Sequence, residues 1–117
     1  MELEDKEELL SISIALKTNI ESLCRLFPIS DGIRLRKEFS SVLEVYMKSI
    51  QEFSCSQKGR SSLIIASITL VSLENVLFRS LENGYISNEC YTKTRDKLYA
   101  VNVYLQSILA LETQSRC

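Results

Sequence analysis

The sequence has no histidine among its 117 residues. Histidine is the usual general base of enzymes, the commonest metal ligand and the side chain that titrates near neutral pH. The chain also has no C-x-x-C pair, because its four cysteines lie at positions 24, 55, 90 and 117. The spacing of a zinc site is therefore missing as well. We expect no enzymatic activity, no metal and no cofactor.

Neither sign of charge is in excess, since 14 Lys and Arg stand against 15 Asp and Glu. A nucleic-acid or membrane partner would therefore have to be bound by a local group of charges. The N-terminal stretch MELEDKEELL lacks the basic region and the small-residue cleavage site of a signal peptide. We expect a cytoplasmic protein in which Cys24, Cys55 and Cys90 are reduced thiols that behave as small hydrophobic residues.

Four stretches of the chain repeat apolar residues at steps of three and four, which is the spacing of one face of an α-helix. They predict helices at residues 4–26, 31–53, 61–82 and 88–113, within a single domain of residues 1–117. Short loops between such helices favour an up-down-up-down four-helix bundle. Ser30 is the predicted N-cap of the second helix, and Ser87 that of the fourth. The apolar series begin Leu9-Ile12-Leu16, Leu35-Phe39-Val42, Leu63-Ala66-Leu70 and Tyr91-Leu98-Val101.

The stretch LENGYISNECY contains Asn83-Gly84, a strong signal for a β-hairpin turn. The same pair can end one helix before another begins, with the glycine in the left-handed conformation. Because both flanks repeat with helical spacing, we expect the second arrangement, a corner between the third and fourth helices.

The third predicted helix is apolar on two sides. One stripe includes Leu73 and Leu77, which we expect to face the core. The second stripe has two interpretations: it occupies the middle of the bundle, or it contacts a second subunit. A membrane span is not expected, because the segment is short, rich in hydroxyl groups and contains Glu74 and Arg79. The second stripe is Ile64, Ile68, Val71 and Phe78.

Positive charges gather in three groups, which are candidates for binding nucleic-acid phosphate. The first opens the second helix, the second precedes the third helix, and the third opens the fourth helix. In an alternating bundle the first and third groups share one end. The alternative interpretation is that each group belongs to an ordinary solvated face and binds nothing. The groups are Arg34, Arg36 and Lys37; Lys58 and Arg60; and Lys93, Arg95 and Lys97.

The tyrosines offer a second way to bind nucleic acid, because aromatic rings stack on bases. Tyr46, Tyr91 and Tyr104 fall on or beside apolar stripes and are expected in the core. Tyr85 and Tyr99 remain candidates for stacking.

Several of these residues together resemble a family of bacterial four-helix bundle proteins first noted in ribosomal RNA intervening sequences. The segment SLENVLFRSLENGYIS resembles the third helix of that family and its Gly-Tyr-Ile corner, here Gly84-Tyr85-Ile86. Phe27-Pro28 and Leu35 also match, and the resemblance extends from about Leu16 to Leu111. The Asn-Ile-Ala-Glu-Gly signature of the family departs here, with Ser49 and Phe53 at its first and last positions.

One branch of that family comprises the accessory variability proteins of diversity-generating retroelements. The resemblance implies a pentameric barrel that holds a reverse transcriptase and its nucleic acid. We therefore expect a homo-oligomer, a pentamer, that binds RNA or DNA and assists a reverse transcriptase, with no membrane partner. The alternative is a protein-only oligomeric scaffold or adaptor, which the balanced charge and the second stripe of the third helix favour.

Overall fold

Four α-helices account for nearly all of the residues that the structure describes. The computed structural model describes the backbone of residues 3–55 and 59–115, and the side chains of residues 5–53 and 59–111. The helices are α1 (Leu3–Cys24), α2 (Ile33–Cys55), α3 (Gly59–Glu82) and α4 (Asn88–Ser115). These ranges contain no strand. The prediction of an all-α chain is confirmed, and the helix bounds agree to within two residues.

The helices pack as a bundle in which α1 contacts α2 and α4, and α3 contacts α2 and α4. Within the described ranges the two diagonal pairs, α1 with α3 and α2 with α4, are not in contact. As α1 runs from Asp5 to Asn19, its hydrogen-bond partners on α4 run back from Tyr104 to Thr94. α1 and α4 are therefore antiparallel, as are α1 and α2, whose contacts include Lys6 over Phe53 and Ser13 with Tyr46. The bundle is a rod of 49 × 22 × 20 Å.

The core of the bundle consists of the apolar stripes that the sequence predicts. Ile12, Val42 and Leu81 are only partly buried, because each lies at the edge of its stripe. Burial of this much aliphatic and aromatic surface is the main stabilising contribution to the fold. The largest fully buried side chains are Tyr46, Phe39, Phe53, Leu9, Leu16, Ile20, Ile50, Leu63, Leu73, Leu77, Leu105 and Val76.

Two of the hydrogen bonds that buried hydroxyl groups form join neighbouring helices. The hydroxyl oxygens of Ser13 on α1 and Tyr46 on α2 share a hydrogen bond of 2.6 Å. Burial raises the pKa of Tyr46 to about 12, and the hydrogen bond from Ser13 opposes this rise only in part. The hydroxyl of Thr94 on α4 donates to the side-chain oxygen of Asn19 on α1 at 2.6 Å. These bonds fix the register of α1 against both of its neighbours.

The corner between α3 and α4 has the predicted helix-to-helix geometry. Gly84 has a φ of 75°, in the left-handed region that glycine adopts without steric cost. The N–H of Tyr85 donates to the carbonyl of Ser80, and the N–H of Gly84 donates to the carbonyl of Leu81, each at 3.0 Å. This pair of bonds is the Schellman motif that ends a helix. The hydroxyl of Ser87 then accepts the N–H of Cys90 at 3.1 Å, which confirms Ser87 as the N-cap of α4.

The predicted N-cap of α2 at Ser30 is wrong, because the helix begins at Ile33 and is capped by Gly32. The N–H of Gly32 donates to the carbonyl of Pro28 at 3.0 Å, and the carbonyl of Gly32 accepts the N–H of Arg36 at 2.9 Å. A Cβ atom at position 32 would lie 2.8 Å from the Pro28 carbonyl oxygen. The close approach of these two backbone segments therefore requires glycine.

By length and composition alone, α3 could cross a membrane, contrary to the expectation that it is too short and too polar. Its 24 residues include a window with a mean hydropathy of 1.7. The buried central helix of a bundle has the same composition, so this property indicates neither a membrane nor a cytoplasmic location.

Candidate nucleic-acid interface

The N-termini of α2 and α4 lie at the same end of the bundle, as the alternating arrangement predicts. The hydroxyl of Tyr85, just before α4, donates a 2.8 Å hydrogen bond to the backbone carbonyl of Asp31, just before α2. The rings of Tyr85 and Phe27 pack with their centroids 5.5 Å apart. Phe27 is itself buried against Phe39 of α2. The two loops thus form one joined end, in which Tyr85 has a structural role.

The first basic group, Arg34, Arg36 and Lys37, is exposed on the opening turns of α2. In the part of the chain that the structure describes, none of the three side chains forms an ion pair. Cations without a carboxylate partner at the start of a helix are well placed to bind phosphate, because helix N–H groups and the helix dipole add positive potential there.

Arg36 faces the groove between α1 and α2. It lines a hollow there together with Arg25, Cys24, Ser40 and Glu21. Burial raises the pKa of the Cys24 thiol, and the guanidinium of Arg36 partly opposes this rise. Because Arg25 lines the same hollow, it adds a fourth cation on this side of the bundle. Arg25 does not belong to any of the three basic groups predicted from the sequence.

The third basic group opens α4 but is less available than the first. Lys93 forms an ion pair with Glu89 at 3.1 Å, and Arg95 forms one with Asp96 at 3.7 Å. The Arg95 guanidinium also lies over the ring of Tyr91, 5.6 Å from its centroid. Lys97 is exposed and forms no ion pair with any described residue.

The first and third groups share an end of the bundle but not a face. Because α2 and α4 lie across a diagonal, α1 and α3 separate their outer surfaces. One subunit therefore presents two basic surfaces rather than one. Of the second group, Arg60 is partly buried in the first turn of α3, at the opposite end of the bundle, and Lys58 lies outside the described residues.

The second stripe of α3 lies on the surface of the bundle. Ile68 and Val71 are 62% and 67% exposed, and Ile64 and Phe78 are also exposed. Leu73 and Leu77 are fully buried, which confirms the predicted core side of the helix. Of the two interpretations of the second stripe, the middle of a single bundle is therefore wrong. An exposed apolar stripe of this kind on a folded domain is typical of an interaction site.

The stripe borders a groove between α3 and α4 of about 300 Å³. Val71 and Glu74 line one wall, and Tyr99 and Leu98 line the other. Phe78 packs edge-on against Tyr91 farther along the groove, with ring centroids 6.3 Å apart. Tyr99, which is 70% exposed, keeps the surface position that a stacking residue needs.

Ile65, Leu26, Ile29 and Ile33 are exposed apolar residues that the sequence patterns do not single out. Ile65 adjoins the second stripe of α3. The other three lie at or beside the loop between α1 and α2. The sequence could have indicated these three residues only by two features. They do not belong to the apolar stripes of the core, and Arg25, Arg34 and Lys37 lie close to them in sequence.

The described residues contain no group of three His, Cys, Asp or Glu side chains close enough to hold a metal ion. Cys24 and Cys90 are free thiols, whereas the side chains of Cys55 and Cys117 lie outside the described residues.

No protein-family model matches the chain, and no curated protein or solved structure matches it significantly. The resemblance to the intervening-sequence family therefore rests on the residues quoted above.

Proposed function

We propose that this protein is a non-enzymatic accessory subunit that binds nucleic acid through the basic residues opening α2 and α4 while assembled as a homo-oligomeric ring. The observation that carries the proposal is the group Arg34, Arg36 and Lys37, which is exposed and has no carboxylate partner among the described residues. Two arginines in this group suit a phosphate backbone, because a guanidinium donates two parallel hydrogen bonds to phosphate oxygens.

Assembly would multiply these charges. The exposed stripe of α3 is the proposed contact between subunits, since burying Ile64, Ile68, Val71 and Phe78 would remove apolar surface from water. The pentamer is what the family resemblance implies. In a ring of five, the three cations of α2 become a belt of about fifteen charges, enough to follow a phosphate backbone despite the balanced charge of the chain.

The resemblance supplies the proposed biological setting, a reverse transcriptase of a diversity-generating retroelement in the cytoplasm. Recognition by such a ring would depend on the shape and charge of the nucleic acid. Phosphate contacts position a protein on its ligand but carry no base sequence.

The alternative function is a protein-only scaffold or adaptor, and the ion pairs of α4 favour it. Lys93 and Arg95 already contact Glu89 and Asp96, so the third group offers less free charge than the sequence predicts. The exposed stripe of α3 serves this function equally well.

An electrophoretic shift assay with structured RNA and DNA at two salt concentrations separates the two functions. The wild-type protein should shift both ligands at low salt and release them as the salt concentration rises. Arg36→Glu combined with Arg95→Glu should weaken binding to every sequence alike. If the wild-type protein shifts neither ligand, the scaffold function replaces this proposal.

A further inference from the structure

The loop between α1 and α2 exposes three aliphatic side chains at one end of the bundle. Ile29 is 88% exposed and Leu26 is 60% exposed. Ile33, in the first turn of α2, is 47% exposed. We call these three residues the aliphatic tip. Single exposed hydrophobic residues are common, but three of them around one turn at the end of a rod form a patch.

The backbone that carries the aliphatic tip is held by hydrogen bonds on both sides. The N–H of Leu26 donates to the carbonyl of Leu23 at 2.9 Å, and the N–H of Gly32 donates to the carbonyl of Pro28 at 3.0 Å. Phe27, between Leu26 and Pro28, is buried in the core, and Tyr85 bonds to the carbonyl of Asp31. The loop is therefore anchored, and the exposed side chains are presented by an ordered backbone.

Three cations lie close to the aliphatic tip in sequence. Arg25 precedes Leu26 directly, and Arg36 and Lys37 lie three and four residues after Ile33, on the same side of α2. No ion pair occupies these three cations in the described part of the chain. The combination is an apolar projection with three cations close to it in sequence, and with the exposed carboxylate of Asp31 between two of its residues.

We propose that the aliphatic tip inserts between the terminal base pair and the first unpaired base of nucleic acid, at a junction between duplex and single strand. This inference rests on the proposed function, in which the flanking cations bind phosphate. Proteins that contact a base stack without reading sequence commonly insert leucine or isoleucine as an apolar wedge. A junction suits the tip because the first overhang base is unpaired and held only by stacking, so displacing it costs less than opening a step of paired duplex.

Charge near the aliphatic tip favours nucleic acid over a lipid surface. Asp31 lies between Ile29 and Ile33 in sequence and is exposed. Burial of the tip in an acyl layer would carry this carboxylate toward the hydrocarbon, where an unpaired charge is strongly disfavoured. Contact with a base face leaves Asp31 in water.

The test uses the full chain and a hairpin with a single-stranded overhang, carrying 2-aminopurine at the terminal duplex position. Binding of the wild-type protein should raise the 2-aminopurine fluorescence, because the tip displaces the overhang base that stacks on it. Ile29→Ser should abolish this rise and weaken junction binding by roughly fivefold, the loss expected for one aliphatic contact. The variant should bind a long duplex as the wild type does. Val45→Ser, an exposed aliphatic position farther along α2, is the matched control and should change neither signal.

Each other outcome contradicts the inference in a distinct way. If Ile29→Ser retains the fluorescence rise and the junction affinity, the aliphatic tip has no base contact, although the proposed function stands. If the wild-type protein binds neither junction nor duplex, the proposed function and the inference fail together. If the protein instead binds phosphatidylserine vesicles and Ile29→Ser abolishes this binding, the tip is a lipid-binding element.

Discussion

The hydroxyl of Tyr85 donates a hydrogen bond of 2.8 Å to the backbone carbonyl of Asp31, across 54 positions of sequence. This bond joins the loop before α4 to the loop before α2. The ring of Tyr85 packs on Phe27, which anchors the loop before α2 in the core. One side chain thus connects the two helix N-termini that carry the proposed phosphate-binding residues.

Tyr85→Phe should therefore destabilise the protein slightly while preserving the fold. The variant keeps the ring contact with Phe27 and loses one hydrogen bond, which corresponds to about 0.5–1.5 kcal/mol of unfolding free energy. Urea denaturation followed by circular dichroism measures the difference. Tyr99→Phe removes the hydroxyl of an exposed tyrosine and should change nothing. Equal stabilities of Tyr85→Phe and the wild type would mean that the bond contributes nothing.

Gly84→Val should destabilise the corner between α3 and α4 through the backbone alone. A Cβ atom at Gly84 would meet nothing within 4 Å, so no steric clash with the surroundings contributes. The φ of 75° is the source of the cost, about 1–3 kcal/mol for a β-branched residue in the left-handed region. Gly84→Asn is the matched control, because asparagine tolerates this region and should cost much less. Chemical denaturation of both variants gives their free energies of unfolding. Equal destabilisation by valine and asparagine would contradict the left-handed backbone as the source of the cost.

The helices and the core could be predicted from the sequence because both depend on local spacing. The apolar series that begin at Leu9 and Leu35 identify helix faces without any knowledge of their partners. Gly84 and Ser87 were also predictable, since a left-handed glycine and a serine cap act within a few residues of themselves.

The remaining features depend on contacts between distant segments. Ser30 has the chemistry of an N-cap, but the approach of Gly32 to Pro28 places the start of α2 two residues beyond the predicted position. The pairing of Lys93 with Glu89 depends on side-chain conformations that composition does not specify. The exposure of Ile29 depends on how Phe27 anchors the loop, which the helical period does not describe.

Tyr46 should make the stability of the protein depend on pH above about 10. Its pKa is raised to about 12 in the folded state, whereas an unfolded tyrosine titrates near 10. Between these values the unfolded chain loses a proton that the folded chain keeps, so the free energy of unfolding falls as the pH rises. The free energy of unfolding is lowered by about 2–3 kcal/mol at pH 12 through this residue. It is absent below pH 10.

The measurement is the stability of wild type and Tyr46→Phe across this range of pH. Other tyrosines and lysines titrate in both proteins, so the difference between the two curves isolates Tyr46. We expect the wild type to lose more stability than the variant between pH 10 and 12. Parallel curves would show that the pKa of Tyr46 is not raised by burial.

Ile68→Asp should weaken self-association while leaving the bundle folded. The side chain is 62% exposed in the single subunit, so an aspartate there is solvated in the monomer and is desolvated only in the proposed subunit contact. We expect at least about a tenfold weaker association, because each 1.4 kcal/mol of penalty is a factor of ten. Size-exclusion chromatography with light scattering should show a shift toward the 13.4 kDa monomer.

Val45→Asp is the control for this experiment, since Val45 is also exposed but lies on α2. The mass of its assembly in solution should match that of the wild-type assembly. A wild-type protein that is monomeric at micromolar concentration, or an Ile68→Asp variant with unchanged mass, would contradict the proposed role of α3.

The salt dependence of nucleic-acid affinity tests the central claim most directly. Fluorescence anisotropy of a labelled duplex should give a dissociation constant that rises steeply with salt for the wild type, because phosphate binding releases counterions. Arg36→Gln combined with Lys37→Gln should reduce the slope by about one for each phosphate contact removed. Lys48→Gln, on the same helix but away from its N-terminus, should leave the slope unchanged. Binding that is absent at low salt, or a slope that the double variant does not alter, would contradict phosphate recognition by the N-terminus of α2.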